Sequence, residues 1–138
     1  MKNLALVGIL MLMIVAISPA CSKGNGGGNT DCTETGIGFT STPAVNSNQT
    51  PAPGPDFPLS INISDLPNAG ATIKITARPE SPANATAFFT TTKNTQTAQN
   101  NFQVTGAAIN VVNIVEITVT SNSCATNKAT GSYRFTRK

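Results

Sequence analysis

Apolar and polar side chains alternate along several short segments of this chain, and this alternation limits its fold more than any other feature. Residues 57–64 place four apolar side chains on one face, namely Phe57, Leu59, Ile61 and Ile63. Residues 110–121 place Val115, Ile117 and Val119 opposite polar neighbours. A period of two is that of a β-strand with one buried face. Because no stretch after residue 21 shows a helical period, the sequence predicts an all-β domain.

Turn-forming residues divide the chain into short strand candidates. These are residues 37–42, 57–64, 71–77, 85–92, 102–105, 110–121 and 130–136. We expect the second and third candidates to pair as a hairpin across a turn at residues 67–70. We expect residues 93–101 to form a polar connection. The first residues of the sixth candidate are apolar on both faces, which indicates a central, doubly covered strand or a bulge.

Short strands at this spacing, with polar turns between them, indicate an antiparallel two-sheet sandwich. The pattern resembles immunoglobulin and fibronectin type III domains at the level of architecture, although the chain has no tryptophan and its cysteines lack the immunoglobulin spacing. We therefore expect an immunoglobulin-like all-β sandwich of about seven short strands, with Tyr133 facing the core. A small antiparallel barrel is the alternative fold.

The first 20 residues have the pattern of a signal peptide. Lys2 provides a positive charge, residues 4–17 form an apolar run interrupted by Gly8, and residues 18–20 lead directly to Cys21. The apolar run is shorter than the roughly 20 residues needed to span a bilayer. A basic start, a short apolar stretch and small residues before a cleavage site predict export and removal of this segment. An uncleaved N-terminal anchor is the alternative.

The cysteine that follows makes this signal more specific. The segment up to about residue 23 resembles the bacterial lipoprotein signal, in which small residues precede a lipidated cysteine. Ala20 fits the position before the cysteine, whereas Ser18 and Pro19 depart from the residues usual at the two positions before it. The resemblance implies a diacylglycerol thioether on Cys21, cleavage before it and usually acylation of its amine. An ordinary secretory signal cut nearby is the competing interpretation.

Residues 21–31 are expected to act as a flexible tether between the lipid and a domain at residues 32–138. Four of the eight residues 22–29 are glycine, and a random-coil segment of this length reaches roughly 15 Å. In the lipoprotein family, Ser22 after the cysteine implies the outer membrane of a Gram-negative bacterium. The absence of acidic residues at 22–25 favours the periplasmic face over the cell surface.

The chain has three cysteines, and assignment of Cys21 to lipid leaves Cys32 and Cys124 as a pair. Exported compartments are oxidising, so we expect these two residues to form a disulfide. On the chain-entropy model, closing a loop of this length contributes about 4 to 5 kcal/mol to stability.

The composition argues against catalysis and against most ligand-dependent chemistry. The chain has no histidine, which removes the usual base of a hydrolytic triad and a common zinc ligand. Its acidic residues are scattered, and we expect Glu116 to face solvent from the middle of a strand. The net charge of +3 is too small and too dispersed to indicate nucleic-acid binding. We therefore expect no enzyme activity, no metal, no cofactor and no nucleic-acid partner.

Two classes of function remain for a lipid-anchored sandwich. The first is a non-catalytic structural or protein-interaction module of the cell envelope, which binds the membrane through its lipid and an envelope protein through its loops. The second is a glycan-binding module that captures polysaccharide. Strand geometry predicts that Phe88 and Phe89 face opposite ways, so the outward ring is the candidate ligand contact. A third possibility is an inhibitor that presents residues 93–101 to a protease.

Overall fold

The computed structural model describes residues 32–138, so the signal peptide, Cys21 and the tether lie outside the described residues. The described part forms seven β-strands: β1 (Gly38–Thr42), β2 (Phe57–Ser64), β3 (Ala71–Pro79), β4 (Phe89–Thr95), β5 (Gln99–Val104), β6 (Val112–Ser121) and β7 (Lys128–Thr136). It contains no helix long and apolar enough to cross a membrane. The predicted all-β fold is confirmed.

The strands form two antiparallel sheets packed as an immunoglobulin-like sandwich. One sheet has the order β1-β2-β5 and the other the order β4-β3-β6-β7. In constant-type immunoglobulin domains the fourth strand joins the sheet of the first, second and fifth strands. Here β4 instead lies at the edge of the other sheet, next to β3. The sandwich prediction is therefore confirmed, and the alternative of a closed barrel is not observed.

The predicted hairpin between β2 and β3 is wrong. β2 pairs with β1 and β5, whereas β3 pairs with β4 and β6 in the opposite sheet. Residues 65–70 carry the chain across the sandwich, aided by Gly70 at a φ of 78°, which suits glycine. Each of the two strands has one apolar face. Packing these apolar faces against each other across the core buries them as effectively as pairing the strands in a hairpin would.

The polar connection predicted at residues 93–101 is also wrong. β4 extends to Thr95 and β5 begins at Gln99, so only three residues join them. β4 has one hydrogen-bonded neighbour and a largely polar sequence, and of its residues only Thr95 is fully buried. Such an edge strand lacks the apolar alternation from which strands are recognised. The long loop on which the inhibitor hypothesis depended is therefore not present.

The core lies between the sheets and consists mainly of aliphatic side chains. Its fully buried large members include Leu59, Ile61, Ile73, Ile75, Val104, Val115, Ile117 and Val119, together with Tyr133 and Phe135. Burying one such aliphatic side chain contributes about 1.5 to 3 kcal/mol. The predicted inward faces of β2, β3, β6 and β7 are confirmed. β6 lies between β3 and β7, but Val112 at its start is 44% exposed, so the strand is not covered on both faces there.

A segment at residues 44–52, here called the strap, runs alongside β7 and covers that edge of the sheet. The backbone N–H groups of Asn46, Gln49 and Ala52 donate to carbonyl oxygens of β7 over 2.6–3.1 Å. The amide of Arg134 donates in return to the Ser47 carbonyl over 3.0 Å. These bonds satisfy backbone groups that an open edge strand would expose to other chains.

Candidate functional site at the two ends of the sandwich

Alternation of strand direction gives the sandwich two distinct ends. The disulfide end contains residues 32–37 and the connections 65–70, 96–98 and 122–127. The loop end contains the connections 43–56, 80–88 and 105–111. Backbone hydrogen bonds join the parts of each end, for example from Asn122 N to Gly70 O (3.1 Å) at the first and from Glu80 N to Val112 O (2.9 Å) at the second.

The predicted disulfide between Cys32 and Cys124 is confirmed. Their Cα atoms are 5.9 Å apart, within the usual range of about 4.4 to 6.8 Å for a bridged pair. The hydroxyl of Thr126 lies 2.9 Å from Sγ of Cys32 and 3.2 Å from Sγ of Cys124. The disulfide joins the start of the described domain to the turn between β6 and β7.

Glu34 forms a second attachment of the N-terminal segment to the same turn. Its carboxylate accepts hydrogen bonds from the hydroxyls of Ser123 and Ser121 and from Nδ2 of Asn127. Hydrogen bonds from Ser123, then Ser121 and Asn127, hold the pKa of Glu34 below its ordinary value. Asn127 Oδ1 also accepts from the amide of Ile37 over 2.8 Å. The N-terminal segment is therefore fixed by polar contacts as well as by the disulfide.

Phe88 and Phe89, the candidate ligand contacts, are partly buried and pack against the core. Phe88 precedes β4, so the strand alternation that predicts opposite orientations does not apply to this pair. A Cβ on Gly106 would lie 3.6 Å from the ring of Phe88, which places this ring beneath the 105–111 loop. The aromatic residues at 32–138 are all buried or partly buried. A glycan contact at Phe88 or Phe89 stays a prediction that requires one ring to become accessible.

Two large apolar side chains are exposed at the loop end, and sequence reasoning missed them as a surface. Ile109 is 57% exposed and Val112 is 44% exposed. The loop that presents them is held in place, since the amide of Asn110 donates to the Arg137 carbonyl over 2.8 Å. The Arg137 guanidinium donates in turn to the Ala107 carbonyl over 3.0 Å. The sequence signal for this surface was the presence of apolar residues on both faces of residues 110–114. One face of such a segment has no core to cover it, so its apolar residues are left exposed.

Two ion pairs lie on the outer face of the larger sheet. Glu116 is exposed, as predicted, and its carboxylate lies 3.1 Å from the guanidinium of Arg78. Glu80 pairs with Arg134. Within residues 32–138, no three His, Cys, Asp or Glu side chains lie close enough together to hold a metal ion.

Comparison with known proteins supplies no family for this chain. No protein-family model matches it, and no curated protein is similar enough to count as a relative. Its function must therefore be inferred from its own residues and their geometry.

Proposed function

We propose that this protein is an exported, lipid-anchored envelope protein whose sandwich acts as a non-catalytic module that binds a protein partner. The lipid would be attached to Cys21 and would hold the protein at the outer membrane, on its periplasmic face. The rigid domain would then present its loop end to the partner. The observation that carries the proposal is the position of the exposed apolar residues, at the end opposite the tether.

The disulfide supports export and lipidation. It uses Cys32 and Cys124, which leaves Cys21 as the remaining cysteine of the chain. A structural disulfide is typical of proteins that fold in an oxidising compartment. A cysteine left over after this pairing, directly after a signal-like segment, is accounted for by acylation.

The geometry of the sandwich supports display of the loop end away from the membrane. The tether joins the domain at residue 32, beside the disulfide. β6 has ten residues, and a strand of that length spans roughly 30 Å. The loop end would therefore lie roughly 30 Å further from the anchor than the disulfide end.

Ile109 and Val112 supply the apolar centre of the proposed contact surface. Protein interfaces combine a few buried apolar anchors with a polar rim that excludes water. The exposed Asn110 and Asn84 belong to the same end and would contribute polar groups to such a rim. A hydrogen-bonded loop loses little conformational freedom on binding, which favours affinity.

Metabolic labelling with radioactive palmitate tests the anchoring. Wild-type protein should incorporate the label and remain with membranes after a high-salt wash. Cys21→Ala should lose the label and be released. Cys32→Ala with Cys124→Ala is the matched cysteine control and should keep the label. Equal labelling of wild type and Cys21→Ala would contradict the lipoprotein assignment.

Site-specific photocrosslinking in intact cells tests the binding surface. A photoreactive amino acid at Ile109 should give one discrete crosslinked partner, and Val112→Asp in the same chain should reduce its yield. The matched control carries the photoreactive group at Asn68, which is also exposed but lies at the disulfide end. Identical products from both positions, or a yield that Val112→Asp leaves unchanged, would refute binding through the loop end.

Glycan binding is the second hypothesis, and an array of glycans and cell-wall fragments tests it. It predicts saturable binding by the oxidised protein that Phe88→Ala weakens without unfolding the domain.

A further inference from the structure

Four strands lie at sheet edges in the described part of the chain, and β5 is the least protected of them. The strap covers β7. β1 has only five residues and is followed by Pro43, and β4 carries Lys93. Short strands, prolines and lysines are devices that keep an edge from pairing with another chain. β5 has six residues and contains no charged residue, proline or glycine.

The hydrogen bonds between β2 and β5 show which backbone groups of β5 point to the open edge. The amide of Ile63 donates to the Ala98 carbonyl over 2.9 Å, and the antiparallel register places these two residues directly opposite each other. Along such a ladder, facing residues alternate between hydrogen-bonded and non-hydrogen-bonded pairs. The N–H and C=O groups of Gln99, Asn101 and Gln103 therefore point away from β2.

The side chains of these three residues are neutral amides, and all three residues are exposed. A shallow groove of about 660 Å³ beside them is lined by residues of β2 and β5 alone, so no other described element covers this side. The hydroxyl of Ser60 donates to Oδ1 of Asn101 over 2.7 Å, which leaves Nδ2 of Asn101 to donate elsewhere. Because each amide side chain holds both a donor and an acceptor, this edge is complementary to itself.

We propose that two copies of this chain pair through β5, antiparallel and about a two-fold axis that passes beside Asn101. Asn101 would then face Asn101 of the second copy, and Gln99 would face Gln103 of the second copy. Each facing pair exchanges two backbone hydrogen bonds, which gives about six in total. The two three-stranded sheets would join into one continuous sheet. Because the two-fold axis uses the open edge of both copies, the assembly closes as a dimer.

The pairing is compatible with two lipid anchors on one membrane, although it requires only the domain at residues 32–138. An antiparallel pair places the two disulfide ends, where the tethers begin, roughly 30 Å apart along the strands. A chain of the length of residues 21–31 extends at most about 36 to 40 Å. Both tethers can therefore reach the same surface, and one copy would still present Ile109 and Val112 away from it.

Cysteine crosslinking in membranes of cells that express the full chain tests the pairing. Asn101→Cys should form a disulfide with its own symmetry mate, because facing hydrogen-bonded residues have Cα atoms about 5.5 Å apart, within the range that a disulfide spans. The matched control is Thr40→Cys, which is exposed in the same sheet but lies on β1, two strands away from β5. Paired thiols have an effective concentration in the millimolar range, so we expect about tenfold more crosslinked dimer from Asn101→Cys.

Further variants distinguish this register from random encounters. Gln99→Cys and Gln103→Cys should each crosslink poorly alone, since each residue would lie roughly 13 Å from its own symmetry mate. They should crosslink efficiently when the two chains are coexpressed. Asn101→Lys in both of these chains should suppress the crosslink, because two ammonium groups would face each other, and Asn101→Asp in one of them should restore it. Thr40→Lys in both chains is the charge control and should leave the crosslink intact.

Three results would overturn the pairing. One is an equal yield of dimer from Asn101→Cys and Thr40→Cys. Another is a Gln99→Cys chain that crosslinks to itself as efficiently as to Gln103→Cys. The third is a crosslink that Asn101→Lys in both chains leaves unchanged. The wild-type chain supplies the baseline for every yield, and a dimer linked through Cys21 in that sample would contradict the lipid on Cys21 without bearing on β5.

Discussion

The contact between the strap and β7 at Gly131 predicts a specific loss of stability. An added Cβ at Gly131 would lie 2.6 Å from Cγ1 of Val45 and 3.0 Å from Cζ of Phe39. Carbon atoms in good contact are about 3.5 to 4.0 Å apart, so the strap must move by about 1 Å. Overpacking of this kind costs about 1 to 3 kcal/mol, and the loss of glycine flexibility offsets about 0.5 to 1 kcal/mol. Gly131→Ala should therefore lower the free energy of unfolding by about 0.5 to 2 kcal/mol.

Thermal unfolding of the oxidised protein, followed by circular dichroism, measures this loss. At about 4 °C for each kcal/mol, Gly131→Ala should lower Tm by roughly 2 to 8 °C. Hydrogen exchange should also accelerate at the strap amides of Asn46, Gln49 and Ala52. Gly36→Ala is the matched control, because nothing lies within 4 Å of its added Cβ, and it should be neutral. Wild-type stability and exchange in Gly131→Ala would refute the close packing of the strap, whereas Val45→Ala should rescue part of the loss.

Two further predictions concern the disulfide and the buried tyrosine. The cysteines are 92 positions apart in sequence, so replacing Cys32 and Cys124 with alanine should lower the free energy of unfolding by up to about 4.5 kcal/mol, as measured by urea titration. A loss below about 1 kcal/mol would show that the contacts of Glu34 hold the N-terminal segment in place without the disulfide. Because the pKa of Tyr133 rises from 10.0 to about 12 on folding, the unfolded chain loses its proton first, and stability should fall by about 2 kcal/mol between pH 10 and 12. Tyrosinate absorbance near 295 nm reports this group alone, and a midpoint near 10 in the folded protein would contradict its burial.

Alternation along the chain predicted the strands with strongly apolar faces but not their partners. β2 and β3 were recognised because Leu59, Ile61, Ile73 and Ile75 occupy alternate positions. Whether two such neighbours pair in one sheet or face each other across the core depends on contacts with β5 and β6, which lie far along the sequence. The same turn residues serve a hairpin or a crossing between sheets, so local sequence cannot decide between them.

The contacts of the candidate site also differ in whether local sequence could predict them. The disulfide could be predicted because the signal-like segment indicates an oxidising compartment and the assignment of Cys21 to lipid leaves two cysteines to pair. The attachment of Glu34 to Ser121 could not, since the two residues are 87 positions apart and neither has a local pattern that marks it. The strap was missed because two of the three residues on its half-buried face, Ser47 and Gln49 beside Val45, are polar, so the segment shows no apolar alternation.

Protection of sheet edges explains why so weakly charged a chain can carry this fold. Only 11% of its residues are charged, so it has few of the charges with which β-proteins usually guard open edges. The strap instead covers β7, and the edge strand β4 has neutral polar residues at most positions. The ammonium group of Lys93 in β4 lies 5.6 Å from the ring centroid of Phe102 in β5, which places a charge beside this partly buried aromatic ring. The polar residues that conceal the second half of β4, 93–95, from sequence analysis are thus among those that keep this edge polar.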